Sequence, residues 1–278
     1  MSIVTRFAPS PTGYLHLGHA FSAMIAWRRA RESGGRFLLR LEDIDPSRCR
    51  PEFAAAIQED LSWVGLDWDG PVRVQSEHLP DYRAVLDGLL VRGLLYPCFC
   101  TRADIAREIE ASANAPHAPD GSLVYPGTCR ALSADERAAR ITGGERFALR
   151  LHMQQAAGEK LAFEEEGKGS VVCNPAGFGD VVLARKDAPA SYHLCVTYDD
   201  ALQGVTMVTR GEDLQQATHI HRVLQALMGW PAPRYAHHRL LTDASGRRLA
   251  KRDRAATLRD LRASGVSAAE VRDMLGLA

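Results

Sequence analysis

Long hydrophobic runs are missing from these 278 residues. None approaches the ~20 apolar residues of a membrane-spanning helix, so a spanning role is not expected. The opening MSIVTRFAPS has no apolar core of the kind that marks secreted chains, so nothing there directs export and a cytoplasmic protein is expected. An excess of positive charge is also missing, since 34 Lys and Arg balance 34 Asp and Glu. Proteins that grip nucleic acid over their whole surface are usually basic. That class is disfavoured, and only a local basic groove stays open. Repeats and low-complexity linkers are absent, and at this length the chain reads as two or three compact units. Cysteines number six. Without an export signal they suggest a reducing compartment, with thiols or metal rather than disulfides.

What is present has the balance of a globular protein, with 46% hydrophobic and 24% charged residues. Ile3 to Phe7 reads as a strand, Ala20 to Ser33 as a helix stopped by Gly34-Gly35, and Phe37 to Leu41 as a second strand. That order predicts a βαβ unit and a parallel sheet. Pro51 opens a helix to Val64, and Leu79 to Val91 is another, closed by Gly93. From Tyr96 to about Gly144 the texture turns to cysteine, proline and glycine. Thr101-Arg-Ala-Asp104 and Ser133-Ala-Asp-Glu136 start helices there with capping-box patterns. Strand-like runs follow at Arg146–Leu151, Asp180–Ala184, Tyr192–Tyr198 and Val205–Thr209, then a helix over Glu212–Met228. Small helices close the tail, one opened at Ser267-Ala-Ala-Glu270. The expected fold is α/β, a parallel sheet interrupted by an insertion and then resumed.

The densest chemistry lies in Arg6-Phe7-Ala8-Pro9-Ser10-Pro11-Thr12-Gly13-Tyr14-Leu15-His16-Leu17-Gly18-His19. A strand ends, a Pro/Gly loop follows, and a helix starts near Gly18 with two histidines three apart. A helix N-terminus favours phosphate through its unpaired N–H groups and dipole. Read alone, HxGH is a turn with two surface histidines. The whole stretch resembles the first signature of class I aminoacyl-tRNA synthetases, in the form used by the glutamyl and glutaminyl branch. Leu41 to Arg48, LEDIDPSR, is similar to that family's second block. Arg6 and Glu42 fall at strand ends, where α/β sheets bind ligands. Arg6 suits a carboxylate and Glu42 an ammonium, unless the two simply pair with each other.

A third block runs from Ser191-Tyr192-His193-Leu194 through Asp199-Asp200 to Arg210-Gly211-Glu212-Asp213-Leu214. A fourth, Asp243 to Arg252, resembles the family's mobile lysine loop. In it Arg248 stands for the first lysine, Ala250 for the serine, and Lys251 is the surviving lysine. The resemblance implies that Arg6, Phe7, Ala8, Pro9, Ser10, Glu42, Tyr192 and Arg210 hold glutamate. It implies that His16, Gly18, His19 and Lys251 meet ATP with Mg²⁺, with His16, His19 and Lys251 carrying the catalysis. An arginine forks onto a carboxylate better than onto an amide. An unpaired charge in a dry pocket costs a few kcal/mol, which is roughly 100-fold for Glu over Gln. Without the family, RRLAKRDR is a solvated basic run or an RNA contact.

Cys98-Phe99-Cys100 and Cys129 place three thiols within about 30 residues of a Gly/Pro-rich stretch, which suggests Zn²⁺ against the alternative of reduced core cysteines. YPCFC resembles the zinc-binding insertion of glutamyl-type synthetases, and Tyr125 fits the tyrosine that one branch carries among its ligands. His117 is the other candidate for the fourth ligand. Cys49, Cys173 and Cys195 are scattered and read as core or incidental.

All four blocks occur in order, and only about 25 residues follow the lysine loop. An ordinary glutamyl-tRNA synthetase continues into an anticodon-binding domain. The chain therefore resembles the short glutamyl-queuosine tRNA(Asp) synthetase branch, which Trp68-Asp69-Gly70-Pro71-Val72 and Gln75-Ser76 also suggest. The resemblance implies a class I Rossmann-type fold with a zinc-containing insertion. It gives the catalytic domain as 1–96 and 187–235, the insertion as 97–186, and a lysine-loop and stem region over 236–278. It further implies tRNA-independent glutamate activation and transfer to queuosine in the anticodon stem-loop of tRNA(Asp), by a monomer. Three alternatives remain open. One is a truncated glutamyl-tRNA synthetase charging a 3′ end, one a nucleotidyltransferase for a small molecule, and one a non-catalytic synthetase-like module.

Overall fold

Four successive buried residues, Val4–Phe7, open the chain as strand β1. A strand buried on both faces belongs inside a parallel sheet. In the computed structural model, which describes residues 2–110, 117–158, 160–241 and 256–276, β1 pairs in parallel with β2 (Arg36–Leu41), Val4 against Arg36 through Phe7 against Leu39. Helix α1 (Leu17–Glu32) makes the crossover and buries Ala20, Phe21, Ala23, Met24, Ala26 and Ala30. Its many small residues let it lie close on the strands. The return to β2 passes Gly35, where a Cβ would stand 1.9 Å from the carbonyl oxygen of Ile3. Only glycine tolerates that approach.

Helix α2 (Pro51–Trp63) starts with proline at its first turn, as the pattern predicts. Strand β3 (Arg73–Val74) pairs in parallel with β2, and α3 (Leu79–Val91) follows. Then the direction changes. Strand β4 (Leu95–Cys98) pairs antiparallel with β5 (Ala148–Leu151), which also pairs antiparallel with β8 (Val182–Ala184). Between them lie α4 (Arg102–Glu110), α5 (Ala134–Thr142) and one turn, α6 (Met153–Ala156). The Ser133–Glu136 capping box forms as expected.

A hairpin the sequence did not announce, β6 (Ala162–Glu165) and β7 (Gly169–Val172), does not join that small sheet. Strand β6 pairs in parallel with β10 (Arg234–His238), itself parallel to β9 (Met207–Gly211). Thr206 donates its backbone N–H to the Val4 carbonyl at 3.0 Å, setting β9 beside β1. The order across the molecule is therefore β3-β2-β1-β9-β10-β6-β7.

Helix α7 (Tyr192–Leu202) corrects the strand expected over Tyr192–Tyr198. Ser191 caps it by accepting from the Leu194 N–H. Buried Thr197, Asp199 and Asp200 interrupt its apolar face, so its helical period was masked. Helix α8 (Ala217–Met228) begins later than expected, after a 3₁₀ turn at Glu212–Leu214. Helices α9 (Leu258–Ala263) and α10 (Ala268–Met274) pack Leu258, Val271 and Leu275 into the core around α1 and α2. The Leu258 N–H donates to the Leu15 carbonyl at 2.8 Å, and His16 bridges to Thr257. Among the described residues no helix is long and apolar enough to cross a membrane.

Candidate active site

The carboxyl ends of β1, β2 and β9 converge on a cleft of about 430 Å³. Arg6, Phe7, Ala8, Pro9, Ser10, His16, Gly18, His19, Glu42, Tyr192 and Arg210 all line it. These are the expected substrate and ATP residues apart from Lys251, which lies outside the described residues, as do Arg248 and Ala250.

His16 is the N-cap of α1. Its Nδ1 accepts from the Gly18 N–H at 3.1 Å, and His19 Nδ1 accepts from the His16 N–H at 3.3 Å. Each imidazole therefore carries its proton on Nε2 and is a donor there. The two rings lie 3.9 Å apart at the mouth of the helix dipole. A Cβ at Gly18 would stand 3.0 Å from His16 Cε1, so glycine keeps the cap closed. Two N–H donors at a helix N-terminus suit phosphate oxygens.

Arg6 does not pair with Glu42. Its Nε donates to Asp200 Oδ1 at 2.9 Å, while Glu42 accepts from Arg40 at 3.3 Å. Arg40, fully buried on β2, also donates to Asp200 and to Gln203, both at 2.9 Å. Asp199 accepts from Arg73 and Gln75, both at 2.8 Å, and from the Tyr82 hydroxyl. The DD pair of the third block thus serves as the buried anchor for the arginines under the cleft. Burial acts against the charge on Asp200, yet Arg6 and Arg40 hold its carboxyl below the usual range. For Glu42 burial wins and the carboxyl is raised, with Arg40 and Arg6 only partly offsetting it.

Arg210 is the penultimate residue of β9 and is 5% exposed. Its partners are all uncharged acceptors. Nε donates to His237 at 3.1 Å, Nη1 to the Tyr192 hydroxyl and His221 Nδ1, both at 3.3 Å, and Nη2 to Thr218 at 2.6 Å. Among the described residues it forms no ion pair, unlike Arg6, Arg40 and Arg73. A buried guanidinium whose charge is left unmatched in a cleft is a site for an anion. Burial and Arg210 together push His237 and His193 down to about 4, and His221 well below its ordinary value. His237, His221, Thr218 and Arg40 were missed in the sequence because each lies outside the recognisable blocks or on a strand that gave no signal.

A second cluster sits on β4 and the loop after α4. The sulfurs of Cys98, Cys100 and Cys129 lie within 4.8 Å of one another. The Tyr125 hydroxyl is 3.6 Å from Cys100 Sγ and accepts from the Cys129 N–H at 2.8 Å. His117 is not in this group; it pairs by its backbone with Leu123. Burial raises the Cys100 thiol to about 11 and pushes the Tyr125 phenol up. Cys129 lies below the ordinary thiol value despite burial, because Tyr125 and the Phe99 N–H hydrogen-bond to it. Three thiols and a phenol, the phenol ring covered by the Arg150 guanidinium 3.8 Å from its centre, have the donor chemistry of a tetrahedral Zn²⁺ site.

Fold and site together define a class I synthetase catalytic domain, a class that uses ATP and Mg²⁺. Residues 2–277 match the family of class I tRNA synthetases (E and Q), catalytic domain. The Glutamyl-Q tRNA(Asp) synthetase of Rhodobacter capsulatus is 51% identical over 99% of this chain and 100% of that protein. The enzyme of that name from Nitratidesulfovibrio vulgaris is 44% identical over 98% of this chain and 85% of its own. A glutamate tRNA ligase of Elizabethkingia meningosepticum, solved in complex with its amino acid, superposes with a TM-score of 0.76 at 29% identity. It aligns with 91% of this chain, which spans 52% of that longer one. The chain belongs to the glutamyl-Q tRNA(Asp) synthetase family within the class I synthetases.

Proposed function

We propose that this chain activates L-glutamate with ATP, without tRNA, and passes the glutamyl group to the queuosine base at the wobble position of tRNA(Asp). The observation that carries the amino-acid part is Arg210, buried in the cleft with neutral acceptors and no ion pair among the described residues. The substrate side-chain carboxylate supplies the missing charge. Arg6 and Glu42 line the same cleft and suit the α-carboxylate and α-ammonium. The name shared by the close relatives supports the queuosine acceptor.

In the first step an α-carboxylate oxygen of glutamate attacks the α-phosphorus of ATP, and pyrophosphate leaves with Mg²⁺. His16 and His19 donate from Nε2 to phosphate oxygens, and Lys251 adds its ammonium. This is electrostatic stabilisation, with no proton transferred. In the second step a hydroxyl of the queuosine ring attacks the anhydride carbonyl, its proton is lost, and AMP leaves. Cys98, Cys100, Tyr125 and Cys129 would hold a structural Zn²⁺, which fixes the β4–β5–β8 insertion as a rigid unit beside the cleft. The acceptor is the anticodon stem-loop, whose unstacked bases proteins read by stacking and edge contacts.

The test begins with glutamate-dependent ATP–pyrophosphate exchange, with glutamine and aspartate as competitors and no tRNA. Labelled glutamate is then offered to queuosine-containing tRNA(Asp), its isolated anticodon stem-loop, and tRNA(Glu), each with and without periodate oxidation of the 3′ end. Exchange with glutamate alone and periodate-resistant label on queuosine RNA are expected. Label on tRNA(Glu), or loss of label after oxidation, indicates acylation of a 3′ end. Exchange with no RNA product leaves a small-molecule nucleotidyltransferase, and no exchange at all a binding module.

A further inference from the structure

The arginine under the cleft has a second layer of partners that explains how it keeps its charge while satisfying its N–H groups. The parallel pairing of β9 with β10 sets His237 beside Arg210. The pairing of β10 with β6 brings in Glu165, 3% exposed. Glu165 grips His237 twice: Oε1 accepts from the His237 backbone N–H at 3.0 Å, and Oε2 lies 2.8 Å from Nδ1. An acid at Nδ1 fixes the proton there and leaves Nε2 as a lone-pair acceptor. That nitrogen is the one that faces Arg210 Nε.

A carboxylate placed directly on Arg210 would satisfy the same N–H. It would also neutralise the guanidinium and compete with a substrate carboxylate. An imidazole between acid and arginine separates the two tasks. The N–H finds an acceptor, the fork is held in one orientation, and the compensating negative charge stays on β6, outside the residues that line the cleft. We propose that Glu165 and His237 are positioning residues that set glutamate-over-glutamine selectivity by holding Arg210 through a tautomer-locked imidazole. The inference rests on the reading that Arg210 meets the substrate side chain.

Two neighbouring variants separate this from a plain structural staple between β6 and β10. In Glu165→Gln an amide N–H can face Nδ1. The imidazole proton then moves to Nε2, and two donors confront each other at Arg210. In His237→Gln the side chain keeps one acceptor for Arg210 and donors for Glu165, whereas His237→Leu keeps neither. Glu166→Gln, next along the chain and paired with Arg29 at the surface, is the control.

The experiment is glutamate-dependent ATP–pyrophosphate exchange on the full chain, with KM, kcat and the Glu/Gln ratio measured alongside thermal unfolding. Glu165→Gln and His237→Leu are expected to raise the glutamate KM by about 10- to 100-fold, by analogy with the loss of a partner behind a metal-ligating imidazole. Their kcat should change far less, and their Glu/Gln ratio should shrink. His237→Gln and Glu166→Gln should stay within about threefold of the parent, well below the loss of a supporting group. If the first two variants lose thermal stability but keep KM and selectivity, the pair is only a staple and the proposal falls. Should Glu165→Gln fail to fold, the two His237 variants decide: equal KM values for Gln and Leu overturn it. A parent that shows no glutamate-dependent exchange overturns the reading of Arg210 itself, which is a separate outcome.

Discussion

Asp199 and Asp200 lie under the cleft, and each carboxylate accepts from arginines on other elements, with Tyr82 and Gln75 completing the shell. Cys98 ends β4 of the small antiparallel sheet, and Cys100 and Cys129 come in beside it from a loop and a 3₁₀ turn, the three sulfurs within 4.8 Å of one another and Cys100 against a phenol. The first cluster contains groups of both signs and balances its charges, and of its buried arginine N–H groups only Arg40 Nε lacks a hydrogen-bond partner among the described residues, 3.7 Å from Asp199 Oδ2. The second contains one kind of group only. Neutral thiols bury readily, but as thiolates, the form that binds metal, they need a cation from outside. Arg210 stands between the two, with its hydrogen bonds met internally and its charge not. The comparison teaches that balance within a buried polar cluster marks a scaffold, while imbalance marks a place for a ligand.

The comparison breaks first at the cysteines. The purified chain is expected to carry about one Zn²⁺, lost in Cys98→Ser or Cys129→Ser, and structural zinc binding is worth ~10–16 kcal/mol in small domains. Metal analysis and thermal unfolding check it, and a metal-free parent of full stability would place these thiols with ordinary core cysteines. The balanced cluster should respond to the loss of one member. Arg40→Met leaves Asp200 and Glu42 short of a cation, at a cost of ~3–5 kcal/mol in urea unfolding. An unchanged midpoint would mean that Arg40 carries no share of the balance.

Lys251→Ala should lower glutamate-dependent exchange by ~10²–10³ with a smaller effect on glutamate KM. Nearly unchanged kinetics would remove the lysine loop from the reaction. The smallest effect is on pH dependence. His193 and His237 are held neutral, down to about 4, by burial and Arg210, against opposing pulls from Asp120 and Glu165 respectively. Because the folded values are depressed, the unfolded chain binds more protons below its ordinary histidine pKa. Their contribution is complete above about pH 6.5 and is lost progressively as pH falls toward about 4. Urea midpoints at about pH 7 and about pH 5 should differ less in His193→Gln than in the parent; equal differences would count against it.

The strand–helix–strand opening was legible because Gly34-Gly35 stops α1 and the apolar runs on either side are short. Arg6, Glu42, Tyr192 and Arg210 were legible because they sit in contiguous blocks, and the structure brings all four to one cleft. Helix α7 was not, since Asp199 and Asp200 point into the core and spoil its apolar period. Nor were Glu165 and His237, which come from strands far apart in sequence and meet only through the β6–β10 pairing. Local pattern carries no information about such a meeting.

The bridge from His16 to Thr257 has a consequence for the segment that holds Lys251. That segment leaves from Leu241, which lines the cleft, and returns at Thr257, which is pinned to the cap of α1. Leu241 and Thr257 thus both lie by the cleft that holds His16 and His19. A group on a short tether behaves as a reagent at millimolar effective concentration. For whatever binds in the cleft, the chain's own flanks at Leu241 and Thr257 are permanent neighbours rather than partners met by diffusion.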